Sequence, residues 1–343
     1  MSCVDVAKSA GVSVTTVSRV VNNPDSVAPG TVALVKRAMA ALNYTPPSPG
    51  QRRGPKLKSG RAAAREAGPV RVGLWCIGTP EPQVRAYFSS QLDTLHFALA
   101  EAGMELKLLF STPGEVPPEL LDGSLAGFIV QGLSPSAESL RKIAGRPHVW
   151  LMTRRGADYP GDYVEPDNAA NGRLAANWLA AQGARRWVFL TIEPDYPAYA
   201  QRGAAFLARA KELKIPVAAI TGTPQDGRHH LTMRPGDDEM DKLASRLLAR
   251  SLAADGIYMP GDGMCGAFFR AIRGRGGNPS SFRVIMGNYN HHIYDSLHPQ
   301  PAAIDVNSRA IIRYAVLQLA DRIKNPDASA PPVGMKISPF LHK

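Results

Sequence analysis

The chain has 343 residues, of which 44% are hydrophobic, and a net charge of +11, so it is long enough for two or three folded units. No run approaches the roughly 18 apolar residues of a membrane span and the amino terminus does not resemble a signal peptide, which predicts a cytosolic protein without membrane contact. Cys3, Cys76 and Cys265 are far apart and odd in number, which predicts buried thiols and excludes a disulfide framework.

The positive charge is concentrated at the amino-terminal end. Residues 1–71 contain 11 Lys and Arg residues against three acids, a net charge of +8, whereas the rest of the chain carries only +3. Basic segments attract phosphates by counterion release, whatever the base sequence. The distribution predicts a nucleic-acid partner for the first fifth of the chain, with a solvated basic tail as the alternative.

The stretch "DVAKSAGVSVTTVSRVVN", residues 5–22, predicts two short helices joined by a tight turn. Ser2 and Asp5 match the S-x-x-D capping pattern for the first helix. Gly11 suits the left-handed conformation that ends this helix, and Ser13 can cap a second helix from about residue 14 to 22. A third helix is predicted over residues 31–42.

The second helix is predicted to have two different faces. Val17, Val20 and Val21 recur at helical spacing and are expected to face a small core. The opposite face is short, polar and basic, and consists of Val14, Thr15, Thr16, Ser18, Arg19 and Asn22. Hydroxyls and a helix N-terminus hold phosphates, and side chains from such a face reach base edges in the major groove of double-stranded DNA.

Together with "AMAALNYTP", residues 38–46, this stretch resembles the DNA-binding head of the LacI/GalR family of bacterial transcription regulators over residues 4–46. The resemblance implies an all-α helix-turn-helix domain at residues 1–46. It implies that Val14 and Thr15 are the chief base-reading positions and that Arg19 contacts a base or a phosphate. The positions implied for backbone phosphates are Ser13, Thr16, Ser18, Asn22 and Tyr44. An ordinary small helical cap is the alternative.

Residues 47–69, "PSPGQRRGPKLKSGRAAAREAGP", form a predicted basic linker that departs from the family pattern. The family usually has a hinge helix of the form A-R-x-L here, whose leucine enters the minor groove. The prolines and glycines of residues 46–60 exclude a helix there. Three interpretations stay open: Arg52 and Arg53 bind an A·T-rich minor groove as an extended arm, residues 60–68 form a displaced hinge helix, or the segment is a plain spacer.

Strands and helices are predicted to alternate over residues 70–343. The first predicted series of strands is 70–77, 104–110, 125–132 and 148–152, and the second is 186–192, 216–221, 256–260 and 283–288. Repeated β-α-β units make parallel sheets, so two series predict two Rossmann-like lobes. Because ligands bind at the carboxyl ends of parallel strands, the predicted site is the cleft where the lobes face each other.

Polar residues just past the strand ends are the candidates for that site. They are Thr153 and Arg154, Asp167 and Asn168 after "YVEP", Asp195 and Tyr196, Asp262, and Asn288 with Asn290. Arg202 lies one helical turn beyond Tyr199. For each of them, capping, packing or pairing with a neighbour is the alternative to ligand binding.

The body also resembles the family, whose effector domain is similar to periplasmic sugar-binding proteins, through "EPDNAANGRLAANWLAAQGARRWVFL" (165–190) and "ADGIYMPGDGMCGAFFRAIRGRG" (254–276). The resemblance implies that Arg202 and Asp262 hold hydroxyl or carboxylate groups of an effector. The predicted effector-binding residues are Phe88, Arg154, Asn168, Tyr196, Arg202, Asp262 and Asn288. "GNYN", residues 287–290, departs from the family, because Asn288 replaces an aromatic residue and Asn290 an acid.

The sequence contains no pattern that predicts catalysis. "GRGGN", residues 274–278, follows a helix and is a helix stop, not a dinucleotide loop. The pairs at residues 229–230 and 291–292 are histidines without zinc-ligand spacing, and there is no Walker A or G-x-S-x-G motif. Neither a cofactor nor a metal is predicted.

The favoured interpretation is a transcriptional regulator, a repressor, that binds a pseudo-palindromic operator as a homodimer with half-sites about 10 bp apart. A dimer is expected because one short head covers too little DNA to select one site in a genome. Its effector is a small molecule, a carbohydrate by the resemblance. The alternative is a solute-binding or sugar-processing protein whose head attaches to nucleic acid without sequence preference.

Overall fold

The computed structural model describes residues 3–22, 27–44, 69–78, 82–153, 159–223, 237–249, 253–327 and 330–342. By contacts the chain divides into two compact units, Met1–Gly68 and Pro69–Lys343. Predictions made for Ser2, Arg52, Arg53 and Arg154 fall outside the described residues, as do those for the linker and for the side chains of Asn22 and Phe88.

The first unit, the head, contains the three predicted helices: α1 (Cys3–Ala10), α2 (Val14–Asn22) and α3 (Pro29–Ala41). Gly11 has φ 64°, which confirms the left-handed turn after α1. The backbone N–H of Thr16 donates to Ser13 Oγ at 3.1 Å, which confirms the predicted cap of α2. The head core consists of Val6, Ala7, Val17, Val20, Val35 and Ala38.

The second unit, the body, contains two sheets. Lobe 1 is built on β1 (Val70–Ile77), β2 (Met104–Ser111), β3 (Gly127–Gly132), β4 (His148–Leu151), β5 (Asp162–Pro166) and β11 (Gly334–Ile337). These strands are all parallel, in the order β11-β5-β4-β3-β1-β2. The helices of this lobe are α4 (Pro82–Glu101), α5 (Ala137–Lys142) and α11 (Ser308–Lys324), and a 3-10 turn covers Pro118–Leu120.

Lobe 2 repeats this plan with β6 (Trp187–Thr191), β7 (Val217–Thr221), β8 (Gly256–Met259), β9 (Arg283–Met286), β10 (Ala302–Asp305) and β12 (Phe340–Leu341). The order is β12-β10-β9-β8-β6-β7, and β12 runs antiparallel to β10. Its helices are α6 (Asn168–Ala181), α7 (Pro197–Glu212), α8 (Asp237–Leu248), α9 (Gly263–Gly274) and α10 (His291–Tyr294), with a 3-10 turn at Pro279–Ser281. In the described residues the chain passes between the sheets after β5, β10 and β11.

Helices cover both faces of the lobe 2 sheet, because alternate side chains of a strand point in opposite directions. Val188 and Leu190 of β6 join one core cluster, whereas Trp187 and Phe189 join the other. Tyr258 of β8 belongs to the second cluster, on the side where α6 and α7 pack. This placement brings residues of α6 and α7 against the ends of β8 and β9.

The predicted fold class, a helical head followed by two parallel α/β lobes, is confirmed. All eight predicted strands are present within two residues at each end. β5, β10, β11 and β12 were not in the predicted series of strands. They are five residues or fewer, and their extended backbone depends on the neighbouring strand to which they pair. Among the described residues no helix is both long and apolar enough to cross a membrane.

Candidate functional site

The outer face of α2 is the first candidate surface. Val14 is 43% exposed, and Thr15, Ser18 and Arg19 are exposed beside it, whereas Val17 on the opposite face is fully buried. The helical period therefore separates core and surface side chains as the sequence predicted for Val17 and Val20, whereas Val21 is half-buried and lies outside the head core. The described part of the head contains four basic residues, Lys8, Arg19, Lys36 and Arg37, and one acidic residue, Asp5, so this part of the head has a positive net charge.

Two predicted phosphate-contact residues also stabilise the start of α2. The hydroxyls of Ser13 and Thr16 lie 2.9 Å apart, and Ser13 accepts the Thr16 backbone N–H. Tyr44 is half-buried against the head core, and its backbone N–H donates to the Met39 carbonyl at 2.9 Å. The described side chains of the predicted DNA-contact set are thus held on a small packed domain.

Arg202, on α7, is the centre of the second candidate site. Its side chain is 3% exposed, and its Nε donates to Asn168 Oδ1 at 2.8 Å. Its Nη1 donates to the Pro260 carbonyl at 2.5 Å, to Asn288 Oδ1 at 2.9 Å and to the Gly287 carbonyl at 3.2 Å. The guanidinium group therefore joins α7 to the carboxyl ends of β8 and β9, where a ligand site was predicted.

Asp262 begins α9 directly after β8 and is 4% exposed. Its Oδ1 accepts the backbone N–H of Gly263 at 2.9 Å, whereas its buried Oδ2 has no hydrogen-bond partner among the described residues. Burial raises the pKa of the carboxyl, and backbone N–H groups, the Asn288 amide and the charge of Arg202 act in the opposite direction. A buried oxygen without a partner is costly, so this atom suits an external hydroxyl donor.

Asn168, the first residue of α6, uses its whole amide within the protein. Its Nδ2 donates to Thr153 Oγ1 at 3.1 Å and to Gln201 Oε1 at 3.3 Å, and its Oδ1 accepts from Arg202. Thr153 follows β4 of lobe 1, so Asn168 joins the two lobes beside the cleft. Asp167 caps α6 by accepting the Ala170 N–H at 2.8 Å.

The aromatic part of the site comes from Tyr196 and Tyr199, at the start of α7. Their rings meet edge to face with centroids 4.6 Å apart. Burial raises the pKa of the Tyr199 phenol well above its ordinary value, and the nearby charges of Glu193 and Asp262 act in the same direction. Tyr196 is half-buried, so one side of this pair is open to a ligand.

The structure places the other strand-end candidates as follows. Asn288 is half-buried and accepts a hydrogen bond from Arg202. Asn290 caps α10 by accepting the His292 N–H at 3.1 Å, which agrees with its alternative capping role. Among the described residues no cluster of three or more His, Cys, Asp or Glu side chains could hold a metal ion.

Sequence reasoning missed two buried residues beneath Arg202. The fully buried Asn171 donates from Nδ2 to the Gly287 carbonyl at 2.8 Å, and the Tyr258 hydroxyl donates to Asn171 Oδ1 at 2.7 Å. Asn171 lies one turn after Asn168 on the inner face of α6, with Ala175. A polar residue at an apolar helical position is the signal that could have identified it.

Two family models match separate parts of the chain. The model of bacterial regulatory proteins of the lacI family matches residues 3–47, and the model of the periplasmic binding protein-like domain matches residues 176–339.

Curated relatives and solved structures agree with these matches. The HTH-type transcriptional regulator CelR of Thermobifida fusca is 25% identical over 338 residues, covering 93% of this chain and 90% of its own. MalR of Streptomyces coelicolor is 28% identical over 281 residues, covering 78% and 74%. The structure of a CelR–cellobiose complex has a TM-score of 0.60 at 23% identity, and a Lac repressor dimer bound to operator has 0.61 at 17%; each covers 100% of this chain and 98% of its own. At these identities the two structures establish the fold.

Proposed function

We propose that this chain, which joins a LacI-family helix-turn-helix domain to a periplasmic-binding-protein-like domain, is a sequence-specific transcriptional repressor controlled by a sugar-like effector. The observation that carries the proposal is the pairing of an exposed, basic recognition face on α2 with a buried set of hydrogen-bonding groups at the strand ends of lobe 2. The face on α2 suits double-stranded DNA, whose base edges are accessible in the major groove. The buried groups of lobe 2 suit a small polyhydroxy molecule.

In the proposed DNA complex, α2 enters the major groove of each half-site. Val14, Thr15 and Arg19, which are exposed in its first two turns, contact base edges. Phosphate contacts come from Ser13, Thr16, Ser18, Asn22 and Tyr44. Arg52 and Arg53 of the linker enter the minor groove between the half-sites.

The proposed effector lies in the cleft between the lobes. Asp262 Oδ2 accepts one of its hydroxyl groups, Arg202 Nη2 and Asn288 donate to others, and Tyr196 packs on an apolar face of the ring. Asn168 holds Arg202 and links the site to Thr153 of lobe 1, and Phe88 and Arg154 complete it from that lobe. The named ligand of the CelR structure is cellobiose and that of a ribose-bound LacI-family structure is ribose, which supports a carbohydrate.

The regulator is proposed to act as a homodimer. In lobe 1, Phe97 of α4 is 68% exposed, and Leu108 and Phe110 of the edge strand β2 are 42% and 55% exposed. Apolar side chains at this density suit contact with a second copy. Effector binding between the lobes then alters the spacing of the two heads, and with it the affinity for two half-sites in register. Such a protein acts on DNA in the cytoplasm and needs no catalytic activity.

The test is selection of bound duplexes from a random DNA pool by the full-length protein at near-physiological salt. We expect an enriched inverted repeat with half-sites about 10 bp apart. The Asp262→Asn variant is the matched control and should enrich the same repeat, since its change lies in the body. Recovery of A·T-rich or unrelated DNA would favour the alternative, a head that attaches to nucleic acid without sequence preference.

A further inference from the structure

Asn171 and Tyr258 form a buried hydrogen-bonded pair under the candidate effector site. The hydroxyl of Tyr258 donates to Asn171 Oδ1 at 2.7 Å, and Asn171 Nδ2 donates to the Gly287 carbonyl at 2.8 Å. Both side chains are fully buried, so they cannot touch an effector in this arrangement. Any influence on the effector passes through the carbonyl that they hold.

The Gly287 carbonyl also accepts from Arg202 Nη1 at 3.2 Å. Its position is tightly defined, because a Cβ at Gly287 would lie 2.5 Å from the Pro260 carbonyl oxygen, and Pro260 accepts from the same Nη1. The two strand-end carbonyls therefore form a fixed pair of acceptors for one edge of the guanidinium group. Asn171 orients one of the two.

This arrangement uses Nε and Nη1 of Arg202 within the protein, and none of its described hydrogen bonds uses Nη2. A carboxylate or phosphate binds arginine best through two parallel N–H groups, which are either Nε with Nη2 or Nη1 with Nη2. Both pairs include a group that already donates to Asn168, Pro260, Gly287 or Asn288. Nη2 alone remains for a ligand. Its two N–H groups point to different edges of the guanidinium group, so each can donate a single hydrogen bond, which suits a neutral hydroxyl.

The charge around Arg202 favours the same class of ligand. Asp262 presents a buried carboxylate oxygen without a described partner, which accepts a hydroxyl hydrogen and repels an anion. Glu193 and Asp262 both act electrostatically on the half-buried Tyr199. In the described part of lobe 2, two carboxylates therefore act on the aromatic pair beside Arg202, whose guanidinium group is largely engaged within the protein.

We infer that Asn171 and Tyr258 are positioning residues that, by holding the Gly287 carbonyl, lock Arg202 so that the site selects uncharged hydroxyl groups over carboxylates and phosphates. The inference rests on the proposed function and narrows its effector to neutral sugars or other polyols. Sugar acids and sugar phosphates are expected to bind Arg202 and Asp262 more weakly than their neutral counterparts, whatever Arg154 contributes from lobe 1.

The test compares matched probes on the full-length protein by titration calorimetry at pH 8. The pairs are glucose with glucuronate, glucose with glucose 6-phosphate, cellobiose with cellobionate, and ribose with ribose 5-phosphate. For any pair that binds, the neutral member should bind at least about tenfold more tightly, the value of one charge-assisted hydrogen bond. An anionic member that binds as tightly as its neutral partner would overturn the inference.

Variants separate positioning from mere stability. Tyr258→Phe removes only a hydroxyl, and the double change Asn171→Leu with Tyr258→Phe removes both polar partners, so no buried hydroxyl is left unpaired. Releasing the Gly287 carbonyl should free Arg202 to turn toward a carboxylate, so the neutral-to-anion affinity ratio should fall by roughly tenfold in the double variant. An unchanged ratio in both variants would refute the positioning role.

Ser139→Ala is the matched control, because Ser139 is a fully buried hydroxyl of lobe 1 that donates to the Pro113 carbonyl at 3.1 Å. It should lower the thermal midpoint without changing the affinity ratio. A similar change of the ratio in this control would show that general loosening of the body, and not the position of Arg202, sets the selectivity.

A second measurement covers the case in which no probe of the panel binds. A small-molecule extract of cells is separated by anion exchange into a retained fraction, which holds the anionic compounds, and an unretained fraction, which holds the neutral ones. Each fraction is then tested for whether it shifts the thermal midpoint of the protein. The active compound should be in the unretained fraction. Activity in the retained fraction alone would contradict this inference and leave the proposed function intact, whereas no activity in either fraction would contradict both.

Discussion

In the head, the side chains that are proposed to read DNA bases are exposed. In the body, the two charged side chains that are proposed to bind the effector are buried. Val14 on α2 is 43% exposed, whereas Arg202 and Asp262 are 3% and 4% exposed. The proposed base-reading residues of the head lie on consecutive turns of one helix, α2. In the body, Arg202 of α7 meets the ends of two strands, and each of these strand ends lies more than 50 residues after Arg202 along the chain.

This difference separates two ways of building specificity. A long, regular partner such as DNA can be reached from one convex helix, so its contact residues need no partner within the protein. A small ligand must be enclosed, so its contact residues are removed from water and must first be satisfied or oriented by the protein. Substitutions of the exposed base-reading residues of α2 should therefore change recognition alone, while substitution of Arg202, which is bonded on several sides within the body, should change stability and recognition together.

Arg202→Ala should have the largest effect. It leaves the Asn168 amide oxygen and the Pro260 and Gly287 carbonyls without this buried donor, so we expect unfolding of the body to become easier by about 3 kcal/mol or more. Denaturant titration monitors the loss, and Val14→Ala in the head, expected to change stability by less than about 0.5 kcal/mol, is the control. Equal small effects of both variants would remove the contrast between head and body.

Asp262→Ala should abolish the effector response and spare operator binding. Loss of the Oδ2 acceptor should weaken effector affinity by roughly 100-fold, while stability changes little because a buried, incompletely paired carboxylate disappears with the cap. Operator affinity with and without effector is measured on the wild type and the variant. Loss of operator binding with intact effector affinity would refute the assignment.

Exchanging Val14 and Thr15 should change the preferred half-site. The free energy of binding should differ by about 1–3 kcal/mol between the base pair that the wild type prefers and the one that the variant prefers. The thermal midpoint should stay unchanged, because both side chains are exposed. Selection from the random duplex pool gives the new preference. The same selected repeat for variant and wild type would mean that these two residues do not read bases.

The stability of Asp262→Asn and that of the wild type should depend differently on pH, and this effect should be smaller than those described above. Burial raises the folded-state pKa of Asp262 above the ordinary 3.8, so the folded protein binds the proton more tightly than the unfolded chain. This contribution is fully present below pH 3.8 and is lost as the pH rises through the raised pKa. Relative to Asp262→Asn, the wild type should therefore lose stability across that window, and parallel stability curves would contradict it.

Replacing Arg52 and Arg53 with Ala should have the smallest effect. If both side chains bind phosphates, the log–log slope of operator affinity against salt should become shallower by up to about 0.9 for each phosphate that is no longer neutralised. The stability of the body should not change. An unaltered slope would identify the linker as a spacer and restrict DNA recognition to the helical head.

The sequence by itself determined the features that depend on local periodicity. The two faces of α2, the left-handed turn at Gly11 and the cap at Ser13 depend on residues within one or two turns of each other, so spacing is sufficient to predict them. The eight predicted strands of the two lobes are short apolar runs between helices, which predicts buried parallel sheets. The same reasoning located Asp262 and Asn288 just past strand ends, whereas the family resemblance pointed to Arg202.

Only the tertiary structure decided what those polar residues do. The bond from Asn171 to the Gly287 carbonyl spans 116 residues and that from Tyr258 to Asn171 spans 87, and neither leaves a local pattern in the sequence. The structure likewise gives Asn168 three partners inside the protein and assigns Asn290 to a cap, while one oxygen of Asp262 keeps none among the described residues. Hydrogen bonds depend on positions in space, and packing of the helices on the sheet sets those positions.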